Sequence, residues 1–346
     1  MQLILDTYDV TLRSRQGSFL VSAGEEKRLI SPHRISSIAA LSRCTLSSAA
    51  VLLAVEHGIP IIFIDECGDP EARIWSTRLS SRADIRRAQV VFALSEELLP
   101  WAVSLFRLKA KGQMENLQWG SGVSGKAAVD ALKTITQLSE QLGEVKTGDD
   151  LSAAIAWMMG KEGAMANAYW KTWGSMAPSG FEFSGRSRRP SEDMYNAVLN
   201  YVYGMLYNTV ESAAISAGLD PMLGVIHADQ FGEATLGFDL IEPFRPLADR
   251  MVMKLFYDSV LDNRHFEFRD KGGVWVNRSG RFLIIPAFND WLETKHEFGA
   301  EGMNTINNHL FTFAGRFAAG LKIFWDNADF GKLRHRQRQA SAESGE

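Results

Sequence analysis

The first 77 residues alternate short apolar runs with turn-forming residues. Leu3-Ile4-Leu5, Val10-Thr11-Leu12, Phe19-Leu20-Val21 and Leu29-Ile30-Ser31 are separated by Gln16-Gly17 and Gly24-Glu25-Glu26. Strands this short at this spacing predict a small β-sandwich or roll. Inside it, residues 47–57 have helical length and composition and run into Gly58, where a helix would end. The apolar run 59–64 then predicts a buried strand, and residues 72–75 a last one.

After residue 80 the apolar period lengthens. Residues 84–98, 101–118, 125–142, 151–173, 191–217, 246–261 and 301–324 read as helices. Between them, Phe266-Glu267-Phe268 and Val274-Trp275-Val276 flank Gly272-Gly273, and Arg281-Phe282-Leu283-Ile284 follows another turn. Together they predict a small β insertion over 265–285. The pattern as a whole predicts an α+β chain: a β-sandwich or roll domain over 1–77 and a larger, mostly α-helical domain over 78–330. Residues 331–346 are basic, then polar and apolar-poor, a composition that predicts disorder.

Composition narrows the function classes. The 346 residues are 46% hydrophobic and 23% charged, ordinary for a globular protein. Two cysteines, Cys44 and Cys67, exclude a disulfide framework and a thiolate metal cage. The N-terminal segment lacks a basic region, and no apolar stretch approaches the roughly 18 residues needed to cross a bilayer. The expected location is the reducing cytoplasm, away from membranes. A net charge of −4 does not announce a nucleic-acid binder, but the arginines are clustered. Arg73, Arg78, Arg82, Arg86 and Arg87 form one group, Arg186, Arg188 and Arg189 a second, and Lys332, Arg334, Arg336 and Arg338 a third. Each reads as a solvated face or as a phosphate-contacting patch.

Three segments carry candidate chemistry. In the helix from residue 151, Ile155, Met158, Met165 and Tyr169 lie on one stripe, and Glu162 fills its missing position. A buried carboxylate needs a partner, so Glu162 is either a snorkelling residue at the core edge or faces a proton, cation or metal. Gly160 and Gly163 beside it weaken the helix, which a close backbone or ligand approach would explain. In the next long helix, Asn196, Asn200, Tyr203, Tyr207 and Glu211 form a polar, mostly uncharged stripe. That suits either a hydrogen-bonded helix contact or a sugar-phosphate backbone. Glu211 is a ligand or a lock for these donors, and the structural role is favoured. Finally, His227 precedes Asp239 and Glu242, whose spacing is that of a capping box. The same three residues with Arg245 also make a divalent-metal corner, one imidazole and two carboxylates, suited to Mn²⁺ or Mg²⁺.

Taken together, Gly160-Lys161-Glu162-Gly163, Asn200-Tyr201-Val202-Tyr203-Gly204, Ala217-Gly218-Leu219-Asp220-Pro221, Gly224-Val225-Ile226-His227 and Asp239-Leu240-Ile241-Glu242-Pro243-Phe244-Arg245 strongly resemble one family. It is the CRISPR-associated adaptation integrase, the universal first Cas protein, and the resemblance runs over nearly the whole chain. It implies an N-terminal β domain used for homodimerisation and a helical catalytic domain. It implies three ligands for Mn²⁺ or Mg²⁺ at Glu162, His227 and Glu242, with Asp239, Glu211, Asn200 and Tyr203 as auxiliary residues. Arg245, Arg78, Arg82, Arg86, Arg186, Arg188 and Arg189 are then the candidate DNA contacts. The implied assembly has two dimers around a dimer of the small second CRISPR adaptation protein, holding double-stranded captured DNA. The implied reaction joins its 3′-hydroxyl ends to a CRISPR repeat. The alternative is a stand-alone metal-dependent nuclease acting on branched or damaged DNA in repair.

Overall fold

The computed structural model describes residues 2–6, 9–35, 37–41, 43–65, 70–74, 83–120, 125–146, 148–188, 190–229, 233–268 and 273–327. Two four-stranded sheets form its N-terminal part. In the first, β1 (Gln2–Leu5), β5 (Ser37–Leu41) and β7 (Ile61–Ile64) run parallel, and β8 (Pro70–Ile74) closes the order β1-β5-β7-β8 antiparallel to β7. In the second, β2 (Thr11–Arg15), β3 (Ser18–Ala23) and β4 (Glu26–Ile30) make a meander, and β6 (Thr45–Leu46) joins β2 in parallel. Helix α1 (Ser48–Glu56) starts at Ser47, whose hydroxyl accepts from the Ala50 amide at 3.2 Å, as an N-cap should. Both sheets and α1 share one core, in which Leu12, Phe19, Ile38, Ala50 and Ala54 are fully buried. The two-sheet, helix-bearing build agrees with the sequence reading. Strand β5 and the parallel pairing around it were not foreseen.

The larger part is helical: α2 (Ala83–Ala93), α3 (Leu98–Gly120), α4 (Lys126–Gln141), α5 (Leu151–Ser175), α6 (Met194–Ser216), α7 (Thr235–Leu240) and α8 (Arg245–Tyr257). A short hairpin of β9 (Phe266–Phe268) and β10 (Val274–Val276) follows, then α9 (Arg278–Leu292), a second hairpin of β11 (Lys295–Glu297) and β12 (Met303–Thr305), and α10 (Ile306–Asn327). Helix α6 is the axle, buried on nearly every face and packed against α7, α8, α9 and α10. Its N-cap is Asp193, which accepts from the Asn196 amide at 2.7 Å, two residues later than the predicted start. Where α3 crosses α8, a Cβ on Gly112 would stand 2.9 Å from the Pro246 ring, so glycine is what lets these two helices approach. No single helix among the described residues is long and apolar enough to cross a membrane.

One predicted strand is a helix. Residues 281–284 lie inside α9, which Asn277 caps by accepting from the Gly280 amide at 3.0 Å. Its apolar side chains Ile284, Phe288 and Leu292 recur every four residues and are buried. Gly280 and Pro286 disguise that period, since both are ordinarily helix breakers. The two parts of the chain meet through α9 and α6. The Gln2 amide donates to Asn289 Oδ1 at 2.7 Å, and Arg73 of β8 forms a buried ion pair with Glu211 of α6. Burial alone pulls the Arg73 guanidinium down to about 10.

Candidate metal centre

The three predicted ligands come from three elements and line one cavity of about 600 Å³. Glu162 enters from the middle of α5, His227 from the loop between α6 and α7, and Glu242 from the turn between α7 and α8. Lys109, Trp170, Arg186, Arg188, Tyr203, Tyr207, Arg245 and Asp249 complete most of the lining. A second cavity of about 490 Å³, between α3 and α10, is mostly apolar and has no histidine on its wall.

Asp239 organises the histidine. It is fully buried, and its Oδ2 accepts the amides of Val225 and Ile226 at 2.7 and 3.1 Å. Its Oδ1 accepts the His227 amide at 3.1 Å and faces His227 Nδ1 at 2.7 Å. A carboxylate only accepts, so Nδ1 carries the proton and Nε2 keeps its lone pair for the cavity. Burial works against the charged imidazole, but Asp239 outweighs it and raises the His227 pKa. The capping-box reading of Asp239 and Glu242 is not realised. Asp239 sits near the end of α7 and ties down the preceding loop instead. Gly224 is the tight point there, because a Cβ would lie 2.2 Å from the His227 carbonyl oxygen.

The two glutamates face a cation already. The Lys109 ammonium contacts Glu162 Oε1 and Glu242 Oε2 together, and Arg245 Nη2 lies 3.2 Å from Glu242 Oε1. Burial opposes ionisation of Glu242, yet Arg245 and Lys109 prevail and hold it below the usual carboxylate range. Glu242 Oε2 is buried, and the Lys109 ammonium is the cation it contacts. Among the described residues, no three histidine, cysteine, aspartate or glutamate side chains converge closely enough to hold an ion as they stand. The donor set nevertheless fits one. Two carboxylates on a common wall already share one positive charge, and an oriented imidazole lines the same cavity.

The polar stripe of α6 resolves into three separate tasks. Asn196 Oδ1 and Asn200 Oδ1 accept from Arg186 at 2.8 and 2.5 Å, so these side chains aim an arginine rather than meet a ligand. The Tyr203 ring lies under two guanidinium groups, Arg186 and Arg245, each 5.3 Å from its centroid. Its hydroxyl donates to Asp249 Oδ1 at 2.6 Å. Arg245 also donates to the Tyr207 hydroxyl at 2.5 Å. Glu211 is absent from the cavity wall. The pair with Arg73 makes it a structural residue at the junction of the two parts, and its auxiliary assignment to the site is corrected.

Of the predicted DNA contacts, Arg186, Arg188 and Arg245 line the cavity. Arg86 is half-buried on α2 and does not reach it, while Arg78, Arg82, Arg189 and the segment 331–346 lie outside the described residues. The backbone approach expected at Gly160 and Gly163 is not seen, since a Cβ on either would meet nothing within 4 Å. Sequence reasoning missed Lys109 and Asp249. Either could have been flagged as a charge on an apolar helix face, which is the same signal that picked out Glu162.

Asp249 is buried and accepts from Tyr169 and Tyr203, and burial raises its pKa to about 6. A carboxyl whose folded pKa exceeds the unfolded value stabilises the fold below about pH 4, and this contribution is lost as the pH rises through about 6. The substitution Asp249→Asn removes that titration. The stability difference between this variant and the unsubstituted protein should therefore shift in the variant's favour by on the order of 2 kcal/mol between about pH 4.5 and 7. Urea unfolding across that range measures it, and a difference that stays constant with pH would count against the assignment.

Comparison with known proteins agrees with the fold. The family model for the CRISPR associated protein Cas1 matches residues 3–290. A CRISPR-associated endonuclease Cas1 of Moorella thermoacetica is 31% identical over 271 residues, covering 77% of this chain and 78% of that one. Among solved structures, a casposase bound to integration product superposes with a TM-score of 0.78 at 22% identity, covering 93% of this chain and 90% of that one. A Cas6-RT-Cas1–Cas2 complex gives a TM-score of 0.76 at 17% identity, covering 93% of this chain and 35% of that one. On this match of sequence and fold, the chain belongs to the Cas1 family of CRISPR-associated proteins.

Proposed function

We propose that this chain is the integrase of CRISPR adaptation, joining the 3′-hydroxyl ends of captured duplex DNA to a CRISPR repeat by metal-dependent transesterification. The observation that carries this reading is the meeting of Glu162, Glu242 and an Asp239-oriented His227 on one cavity wall with Arg186 and Arg245 beside them. The casposase bound to integration product and the Cas1–Cas2 assembly among the structural neighbours support DNA and the small second adaptation protein as partners. The assembly proposed for this chain has two homodimers, each joined through the β domain, flanking one dimer of that partner.

Glu162, His227 and Glu242 would hold Mn²⁺ or Mg²⁺. When bound, the ion supplies Lewis-acid polarisation of the scissile phosphate and offsets charge on the leaving oxygen. The chain's own residues do the rest. His227 presents Nε2 because Asp239 fixes its tautomer. Arg245 and Arg186, held over Tyr203, offer phosphate contacts that position the target strand for in-line attack. In the joining step the attacking 3′-oxygen forms one phosphodiester bond as another breaks. The attacking hydroxyl gives up a proton, and the departing 3′-oxygen takes one. Water in place of the hydroxyl turns the same geometry to hydrolysis. The overall acidic charge does not oppose this reading, since the cavity itself gathers three arginines.

The test is to incubate protein, partner and Mn²⁺ with a labelled duplex and a plasmid carrying a repeat. Label covalently joined to the plasmid is the expected result. Nicking of branched DNA with no joining under any condition would replace this reading with the repair nuclease.

A further inference from the structure

We infer that Lys109 is a resident counter-ion of the site, which a divalent cation displaces and a DNA phosphate then receives. Metal loading and DNA binding thereby strengthen one another through this side chain, beyond any direct attraction between ion and phosphate. The inference rests on the assignment of Glu162 and Glu242 as cation ligands, and it adds a role for a residue outside that set.

Lys109 comes from α3, an element that supplies none of the three ligands. Its side chain is only 10% exposed, and its ammonium contacts one oxygen of each glutamate at once. Burying a lysine is costly unless its charge is matched, and here it is matched twice. With a carboxylate oxygen on two sides, the ammonium is the charged group that balances both glutamates. A cation shared by the two glutamates would need the space this ammonium fills. Two positive charges a few ångströms apart in a partly dry cavity repel strongly, so the two compete for the carboxylates.

The lysine has somewhere to go. Four rotatable bonds separate its ammonium from α3, and the cavity of about 600 Å³ that it lines is shared with Gln113, Trp170 and Arg188. The helix itself stays in place, since Gly112 is packed against the Pro246 ring. Without DNA, the released ammonium shares that space with Arg186, Arg188 and Arg245, which is unfavourable for three charges already there. A phosphodiester in the cavity removes this penalty by accepting it. Coupling of this kind is reciprocal by linkage: DNA tightens metal binding by the factor by which metal tightens DNA binding.

The experiment is Mn²⁺ titration calorimetry on the full chain, with and without a short blunt duplex ending in 3′-deoxynucleotides. Lys109→Met, Lys109→Gln, Lys109→Arg and Glu162→Ala are compared with the unsubstituted protein. Removing the resident charge should tighten Mn²⁺ binding about tenfold without DNA. It should also reduce the tightening by DNA that the unsubstituted protein shows, leaving only what direct attraction between ion and phosphate supplies. Lys109→Gln retains a polar side chain and covers the case in which the methionine variant does not fold. Lys109→Arg keeps the charge and should bind Mn²⁺ no more tightly than the unsubstituted protein. Equal or weaker Mn²⁺ binding by both neutral variants would overturn the counter-ion role, as would DNA coupling as large in them as in the unsubstituted protein. Mn²⁺ binding that is unaffected by Glu162→Ala would instead overturn the metal assignment itself, a separately readable failure.

Discussion

Glu162→Gln is expected to lower both strand joining and hydrolysis by about a thousandfold or more, while duplex binding measured without divalent metal stays within a few-fold. The substitution preserves shape and removes one negative charge. Glutamine still reaches the cavity from α5, but its neutral amide is a poor ligand for a hard divalent cation. Losing about 4 kcal/mol of charge stabilisation in the transition state corresponds to a thousandfold in rate. Phosphate contacts should survive, since Arg186 is held by Asn196 and Asn200, and Arg245 by Tyr207, independently of Glu162. Single-turnover joining and filter binding, measured together, separate the two effects. A variant that joins DNA within tenfold of the unsubstituted rate would remove Glu162 from the catalytic set.

The second large effect is structural in origin and functional in outcome. Asp239→Ala strips the acceptor from three backbone amides and one imidazole in a fully buried place. Each orphaned buried donor costs on the order of 1–3 kcal/mol, though water entering the alanine cavity would recover part of it. A loss of about 4 kcal/mol in unfolding free energy is expected, enough to lower the melting temperature markedly. His227 would also lose the partner that fixes its tautomer and ring, so folded variant should bind Mn²⁺ about 10- to 100-fold more weakly. Asp239→Asn is the informative control. It fills the space and still accepts at one oxygen, so it should recover much of the stability but little of the metal affinity. If both variants melt and bind metal as the unsubstituted protein does, the loop from 224 to 229 is held by something other than Asp239.

These two residues show what the sequence makes legible. Glu162 was visible because it interrupts an otherwise apolar stripe whose members Met158, Met165 and Tyr169 are indeed buried. Asp239 was visible as an acid close to another acid, but its task was not, because capping by spacing and capping of a distant loop look alike in one dimension. Lys109 was overlooked. It continues the buried stripe of Ala102, Leu105 and Phe106 on α3, but a lysine two positions before Lys111 on a long helix also reads as solvated surface. The Arg73–Glu211 pair joins residues 138 positions apart in different halves of the chain, and no local period encodes it.

The same division holds for the fold. Long helices with turn residues at both ends, such as α5 and α6, declared themselves through period and caps. Strand β5 did not, because Ser37-Ile38-Ala39-Ala40-Leu41 lacks β-branched enrichment and draws its order from parallel neighbours on both sides. Helix α9 was hidden by Gly280 and Pro286, whose local preferences are overridden by the packing of Ile284, Phe288 and Leu292. In each case a tertiary contact decided against a local propensity.

The claim on which the rest depends is that Glu162, His227 and Glu242 hold one divalent cation. Anomalous diffraction from crystals grown with Mn²⁺ tests it most directly. A single strong peak within about 2.3 Å of a Glu162 oxygen, a Glu242 oxygen and His227 Nε2 is the predicted result, with the Lys109 ammonium withdrawn from between the glutamates. A peak elsewhere, or fully bound Mn²⁺ that leaves this wall and its lysine unchanged, would contradict the account.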